Sequence, residues 1–178
     1  MQPIATMIRQ LGTHRGKQVV FGFDRHLLPE LEDYTRALSK YGIPSRAVNM
    51  DDPYYLTSAQ RVCERVRGRT DAVGVLVCSN GMGMSIAANK FRGIYAARCM
   101  TVEDAQMART INNANVVCLA TRTTCALNEH ILDAFMNTPY DGRKLEQLEY
   151  VACLELESDP PAVVETAAFG RARSRSAQ

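Results

Sequence analysis

The chain of 178 residues contains no apolar run near the roughly 20 residues needed to cross a bilayer, so a membrane partner is not expected. It has no excess of either charge. Its 21 Lys and Arg stand against 19 Asp and Glu, and the net charge of +2 is too small to argue for nucleic acid as the main partner. Six cysteines, at 63, 78, 99, 118, 125 and 153, form no Cys-x-x-Cys pair and have no histidine at zinc-finger spacing, so no structural metal is expected. Cys78, Cys99 and Cys118 lie at or near the ends of apolar runs and read as small, buried, reduced thiols, which predicts a cytoplasmic location. Acidic residues are missing from the first 23 positions. An organellar presequence fits that bias, but the simpler reading is a short N-terminal extension over 1–17. Met1–Arg9 has too short an apolar segment for a secretory signal. There is no internal repeat.

What is present is an alternation of short β-like runs with longer helical ones. Gln18–Phe23 reads as a buried strand, followed by a loop at Asp24–His26. Leu27, Leu28, Leu31, Tyr34 and Leu38 then recur at helical spacing, with Gly42 as a stop. Ser45–Asn49 is expected as a short second strand, and Pro53 opens a helix that Gly68 ends. Ala72–Val77 is the clearest strand. Gly93–Arg98 and Asn115–Leu119 complete the set, with helices around Met84–Lys90, Val102–Ile111, Cys125–Met136 and Leu145–Leu156. The pattern predicts a Rossmann-like three-layer α/β sandwich over 18–156 with a five-stranded parallel sheet. From Glu157 on, a Pro160-Pro161 pair and arginines 171, 173 and 175 among Ser and Ala read as a solvated, disordered tail; an RNA-binding arm is the weaker alternative.

In an open parallel sheet, ligands bind at the carboxyl ends of the strands, and the third strand delivers Cys78 there. Gly81 and Gly83 let the following backbone turn tightly and approach a ligand closely. The next helix directs its free N–H groups at the same spot. No Gly-Lys-Ser/Thr follows, which excludes a nucleotide phosphate loop, and the dinucleotide fingerprint fails because its first glycine would fall on Ser79. A thiol at a helix N-terminus is suited to act as nucleophile or general base. Packing at the end of a buried strand is the competing reading for Cys78.

The loop Cys78-Ser79-Asn80-Gly81-Met82-Gly83, the run Ser85-Ile86-Ala87-Ala88-Asn89-Lys90 and the stretch Asn112-Asn113-Ala114-Asn115-Val116 together resemble the ribose-5-phosphate isomerase B family, which includes the galactose-6-phosphate isomerase subunits. Gly22–Asp24 fits the family's strand-one motif. The resemblance implies aldose–ketose isomerisation of a small-molecule sugar phosphate through an enediolate, with no metal or organic cofactor. It also implies a homodimer or homotetramer with active sites at the interface. Carried over, Cys78 moves the proton between C1 and C2, and the amides of Ser79, Asn80, Gly81, Met82 and Gly83 stabilise the enediolate oxygen. Losing one such donor costs about 3 kcal/mol of transition-state stabilisation. Asp24 and Asn112 would meet the sugar, and Arg25, Arg122 and Arg143 the phosphate.

Departures from the family pattern bear on the substrate. Arg25 stands where the family has His, with His26 next. Ile111 replaces the histidine associated with opening the furanose ring, and isoleucine transfers no proton. Asn80 replaces a threonine, which removes a hydroxyl relay. Of two expected arginines near the C-terminus only Arg143 is matched; Gln147 holds the second place and Lys144 lacks arginine's fork. The family Asp-Tyr-Pro appears as Asp51-Asp52-Pro53 with Tyr54 following. Three readings follow: an isomerase of an open-chain tetrose phosphate or another non-ribose sugar phosphate, an ordinary five- or six-carbon isomerase such as a ribose-5-phosphate isomerase whose ring opening is spontaneous or uses His26, or a non-catalytic paralogue that binds a sugar phosphate or completes a hetero-oligomer. Each candidate has an ordinary structural counterpart. Asp24 suits a helix N-cap, and Arg25 and Arg143 suit solvated loops. Met82, Met84 and Met100 suit core packing, and His14 and His130 suit the surface. Leu145, Leu148, Val151 and Leu156 form an apolar stripe for a dimer or for the chain's own core.

Overall fold

The computed structural model describes residues 8–41 and 47–155; Gly42, Ser45, Leu156 and the tail 157–178 lie outside these. Four strands, β1 (Gln18–Phe23), β2 (Ala72–Cys78), β3 (Ala96–Arg98) and β4 (Val116–Ala120), form one parallel sheet in the order β1-β2-β4-β3. The helices are α1 (Leu31–Ser39), α2 (Tyr55–Val66), α3 (Met82–Ala88), α4 (Val102–Thr110), α5 (Cys125–Asn137) and α6 (Leu145–Leu154), with a 3-10 segment at Arg25–Glu30. Because successive strand residues face opposite ways, the sheet feeds two cores. Val19, Phe21, Val75, Val77 and Leu119 pack with α1, α4 and α5, while Val20, Leu76, Cys78 and Cys118 pack with α2 and α3. This is the expected Rossmann-like sandwich. Among the described residues no helix is long and apolar enough to cross a membrane.

The expectation of five strands is corrected to four among the described residues. Beside β1, Val48 N–H donates to Phe21 O at 2.8 Å, as a strand would. The ladder then passes to a side chain: buried Asn49 accepts from Phe23 N (3.2 Å) and donates to Phe23 O (2.7 Å). Residues 48–51 form a turn, so the amide takes the place of strand backbone that the described residues do not supply. The opposite edge is closed in the same way, with Asn89 accepting from Ala96 N (2.9 Å) and donating to Ala96 O (2.8 Å). Both edges are thereby denied to further pairing.

Residues 8–14 dock on the domain through a buried cation. Arg109, 1 % exposed, donates to Ala114 O (2.7 Å), Asn113 Oδ1 (2.8 Å) and Gly12 O (3.0 Å). Gly12 in turn bridges Tyr140, and Ile8 packs on Tyr140 and Leu148. His14 is not at the surface as expected: it is 2 % exposed, its ring tilted against Phe135 at 5.0 Å, with Nε2 bonded to Ala114 O. Met82, expected in the core, is 47 % exposed as the first residue of α3, whereas Met84 in the same turn is fully buried as expected.

Burial, with the Arg109 charge adding to it, lowers His14 from about 6.5 to about 2. The unfolded chain therefore binds a proton below about pH 6.5 that the folded chain refuses, so His14 makes stability fall on acidification. We expect the stability advantage of the wild type over His14→Gln, read by urea denaturation, to shrink below pH 6.5. Its slope should approach about 1.4 kcal/mol per pH unit.

Candidate active site

β1, β2 and β4 all end at one edge of the sheet, and the loops that follow meet there. Asp24 N–H donates to Val77 O at 2.8 Å, so Asp24 and Cys78 leave neighbouring strands at the same level. From the other side, Thr121 N–H donates to Cys78 O (2.9 Å) and Arg122 N–H to Ser79 O (3.2 Å). Cys78 is buried, and its sulfur accepts from Gly81 N–H at 3.2 Å. The expected amide cradle is thus partly committed within the loop, since Met82 N–H also donates to Asn80 Oδ1 (3.0 Å). The amides of Ser79, Asn80 and Gly83 have no protein acceptor among the described residues.

Gly81 turns the chain into α3 with φ 75°, and a Cβ there would lie 3.3 Å from Cys118 O. A Cβ on Gly83 would stand 3.1 Å from the Tyr55 ring, so α2 presses on the loop through Tyr55. Burial pushes the Cys63 and Cys99 thiols up to about 12 and raises Cys118 as well, which leaves these three as inert core groups.

The remaining candidates divide in two. Asp24 caps the 3-10 segment, its Oδ1 accepting from His26 N–H (3.2 Å) and pairing with His26 Nδ1. Arg25 N–H is held by Pro53 O, and its side chain and that of Arg122 are exposed at the same edge. Asn112 and Arg143 are elsewhere. α4 and α5 run back along the sheet, so Asn112 and Arg143 emerge near its amino edge, about one strand length from Cys78, roughly 15 Å. One chain therefore brings together Asp24, Arg25, Cys78–Gly83 and Arg122, but not Asn112 or Arg143. Asn112 lines a groove of about 440 Å³ beside β3, together with Arg98, Met107, Leu148 and Val151. Sequence reasoning passed over Arg98, whose Nε donates to Asn80 O at 2.6 Å; a lone arginine ending a strand at the ligand edge was the available signal. Tyr55 carried no such signal. Among the described residues no group of three or more His, Cys, Asp or Glu is placed to hold a metal ion.

The sequence model of the ribose/galactose isomerase family matches residues 19–151. The chain is 36 % identical over 107 residues to ribose-5-phosphate isomerase B of Escherichia coli, covering 59 % of this chain and 70 % of that one. It is 33 % identical over 105 residues to D-erythrulose-4-phosphate isomerase of Pectobacterium atrosepticum, covering 56 % and 69 %. The crystal structure of Mycoplasma genitalium ribose-5-phosphate isomerase B with bound ribulose-5-phosphate superposes with a TM-score of 0.73 at 26 % identity, covering 82 % of this chain and all of that one. Fold, loop and relatives together define a sugar-phosphate isomerase. More narrowly, the chain belongs to the ribose/galactose isomerase family.

Gly81→Ala combines a left-handed φ with crowding, whereas Gly16 has a similar φ of 74° and open space around it. We expect Gly16→Ala to cost about 1 kcal/mol and Gly81→Ala at least about 1 kcal/mol more, measured by urea denaturation.

Proposed function

We propose that the chain is a cofactor-independent aldose–ketose isomerase of an open-chain tetrose phosphate or another non-ribose sugar phosphate, working through an enediolate with Cys78 as the base. The observation that carries this reading is the Cys78 sulfur at the carboxyl end of β2, beside the Ser79, Asn80 and Gly83 amides, which have no acceptor among the described residues. Cys78, acting as the thiolate, takes the proton from C2 of the aldose, and the C–H electron pair moves into a C1–C2 double bond as O1 becomes the oxyanion. The amides of Ser79, Asn80 and Gly83 meet that oxyanion. Cys78 returns the proton to C1 while the O2 hydroxyl proton passes to O1, with Asp24 and its partner His26 beside the hydroxyls.

Ile111 supplies no proton for opening a furanose ring. A four-carbon sugar with its phosphate on O4 cannot close that ring and has no need of one. Arg25 and Arg122 offer positive charge to the phosphate at this edge. A second reading, an isomerase of cyclic five- or six-carbon sugar phosphates, draws on His26, whose Nδ1 bonds to Asp24 at the same edge.

Asn112 and Arg143 join Cys78 only if a second copy supplies them. We assign to that copy the groove beside β3 and the outer face of α6, where Leu148 is buried in the chain's own core but Tyr150, Val151 and Leu154 remain exposed. A cytosolic location suits the free thiols of Cys63, Cys78, Cys99, Cys118 and Cys125.

Incubating the protein in D2O with four-, five- and six-carbon aldose and ketose phosphates, followed by proton NMR, tests the reading. We expect deuterium to enter at C1 or C2 fastest with a tetrose phosphate, and Cys78→Ala to slow it at least about a hundredfold. Ribose 5-phosphate as the best substrate would favour the His26 reading. No exchange with any compound would overturn the isomerase assignment in favour of a non-catalytic binding protein.

A further inference from the structure

The loop that carries Cys78 is fastened by a side chain that no step above uses. Arg98 ends β3, and β4 lies between β3 and β2 in the sheet. Its side chain therefore crosses the end of β4 to reach the loop, where Nε donates to Asn80 O at 2.6 Å. On the way its Cγ passes 3.2 Å from where a Cβ of Gly81 would stand, so a glycine at 81 is what leaves room for the stem.

The rest of the guanidinium is uncommitted. Arg98 is exposed, and Nε is its one nitrogen with an acceptor among the described residues. Asp104, the carboxylate lining the same groove, is engaged in closing the start of α4: its Oδ2 accepts from Met100 N–H (2.8 Å) and Thr101 N–H (3.0 Å). The other cations at this edge differ. Arg25 and Arg122 are tied down through backbone N–H groups, and their side chains have no partner among the described residues. Arg98 is thus the cation whose head is positioned before any ligand arrives, which lowers the ordering cost of binding.

We propose that Arg98 binds the phosphate of the substrate with its two free amino groups. Anchored two residues from Cys78, it selects substrates whose phosphate lies few bonds from the reacting carbons. Arginine's planar fork suits a phosphate monoester better than a point charge does. The inference deepens the isomerase reading and rests on it for the identity of the substrate, but not for the anion site itself.

Two substitutions separate recognition from mere support of the loop. Arg98→Gln keeps an N–H donor for Asn80 O and removes the charge; Arg98→Lys keeps the charge and loses the fork. With the best phosphate substrate of the panel, Arg98→Gln should raise KM at least about tenfold with kcat changed less than about threefold, and Arg98→Lys should fall between. Calorimetric titration of inorganic phosphate should weaken in the same order, with urea midpoints unchanged. The reverse order, Gln near wild type and Lys impaired in kcat, would mean that Arg98 only holds the loop and would overturn the proposal. The phosphate titration needs no turnover. If the protein isomerises nothing, Arg98-dependent phosphate binding still supports the anion site, and binding that is absent or indifferent to Arg98 overturns it.

Discussion

The parallel direction of all four strands is the constraint on which the rest depends. It sends every strand's carboxyl end to one edge, so Asp24, Cys78 and Arg122 are neighbours through main-chain hydrogen bonds alone, before any side chain is chosen. The same polarity forces the connecting helices to run back, and this carries Asn112 and Arg143 to the far edge. One topological fact thereby gathers Asp24, Cys78 and Arg122 at one edge and keeps Asn112 and Arg143 away from them. A parallel sheet also needs both faces covered, and the cores under α1, α4 and α5 and under α2 and α3 meet that need.

The Cys78 loop is held by pieces of different origin. β2 and β4 fix its base through Thr121 and Arg122, Gly81 turns it, Tyr55 presses on it from α2 and Arg98 ties it down from β3. A loop held this way needs little reorganisation when charge develops beside it, which is the condition for electrostatic stabilisation of an oxyanion. Cys63, Cys99 and Cys118 sit in apolar surroundings that push their thiols up, and they serve packing.

Much of this was legible in the sequence because it is local. Alternating apolar periods gave four of the strands and the order of the helices, and two glycines after a buried strand marked the loop. What escaped reading involves long-range partners. Asn49 replaces a strand's backbone with one side chain, so a segment that looks extended ends as a turn. His14 is buried because Ala114, a hundred residues away, offers a carbonyl and Phe135 a ring. Arg98 reads as the polar end of a strand until the sheet order places it across β4 from Asn80. The separation of Asn112 from Cys78 follows from strand polarity and could have been drawn from the pattern.

In the proposed site Cys78 comes from one copy and Asn112 from another. Co-expressing Cys78→Ala with Asn112→Ala, each inactive alone, tests it directly. Half of randomly assembled dimers are mixed and each of these holds one intact site, so the account predicts recovery of about a quarter of wild-type isomerisation. Full activity of Asn112→Ala on its own, or mixed dimers as inactive as their parents, would contradict it.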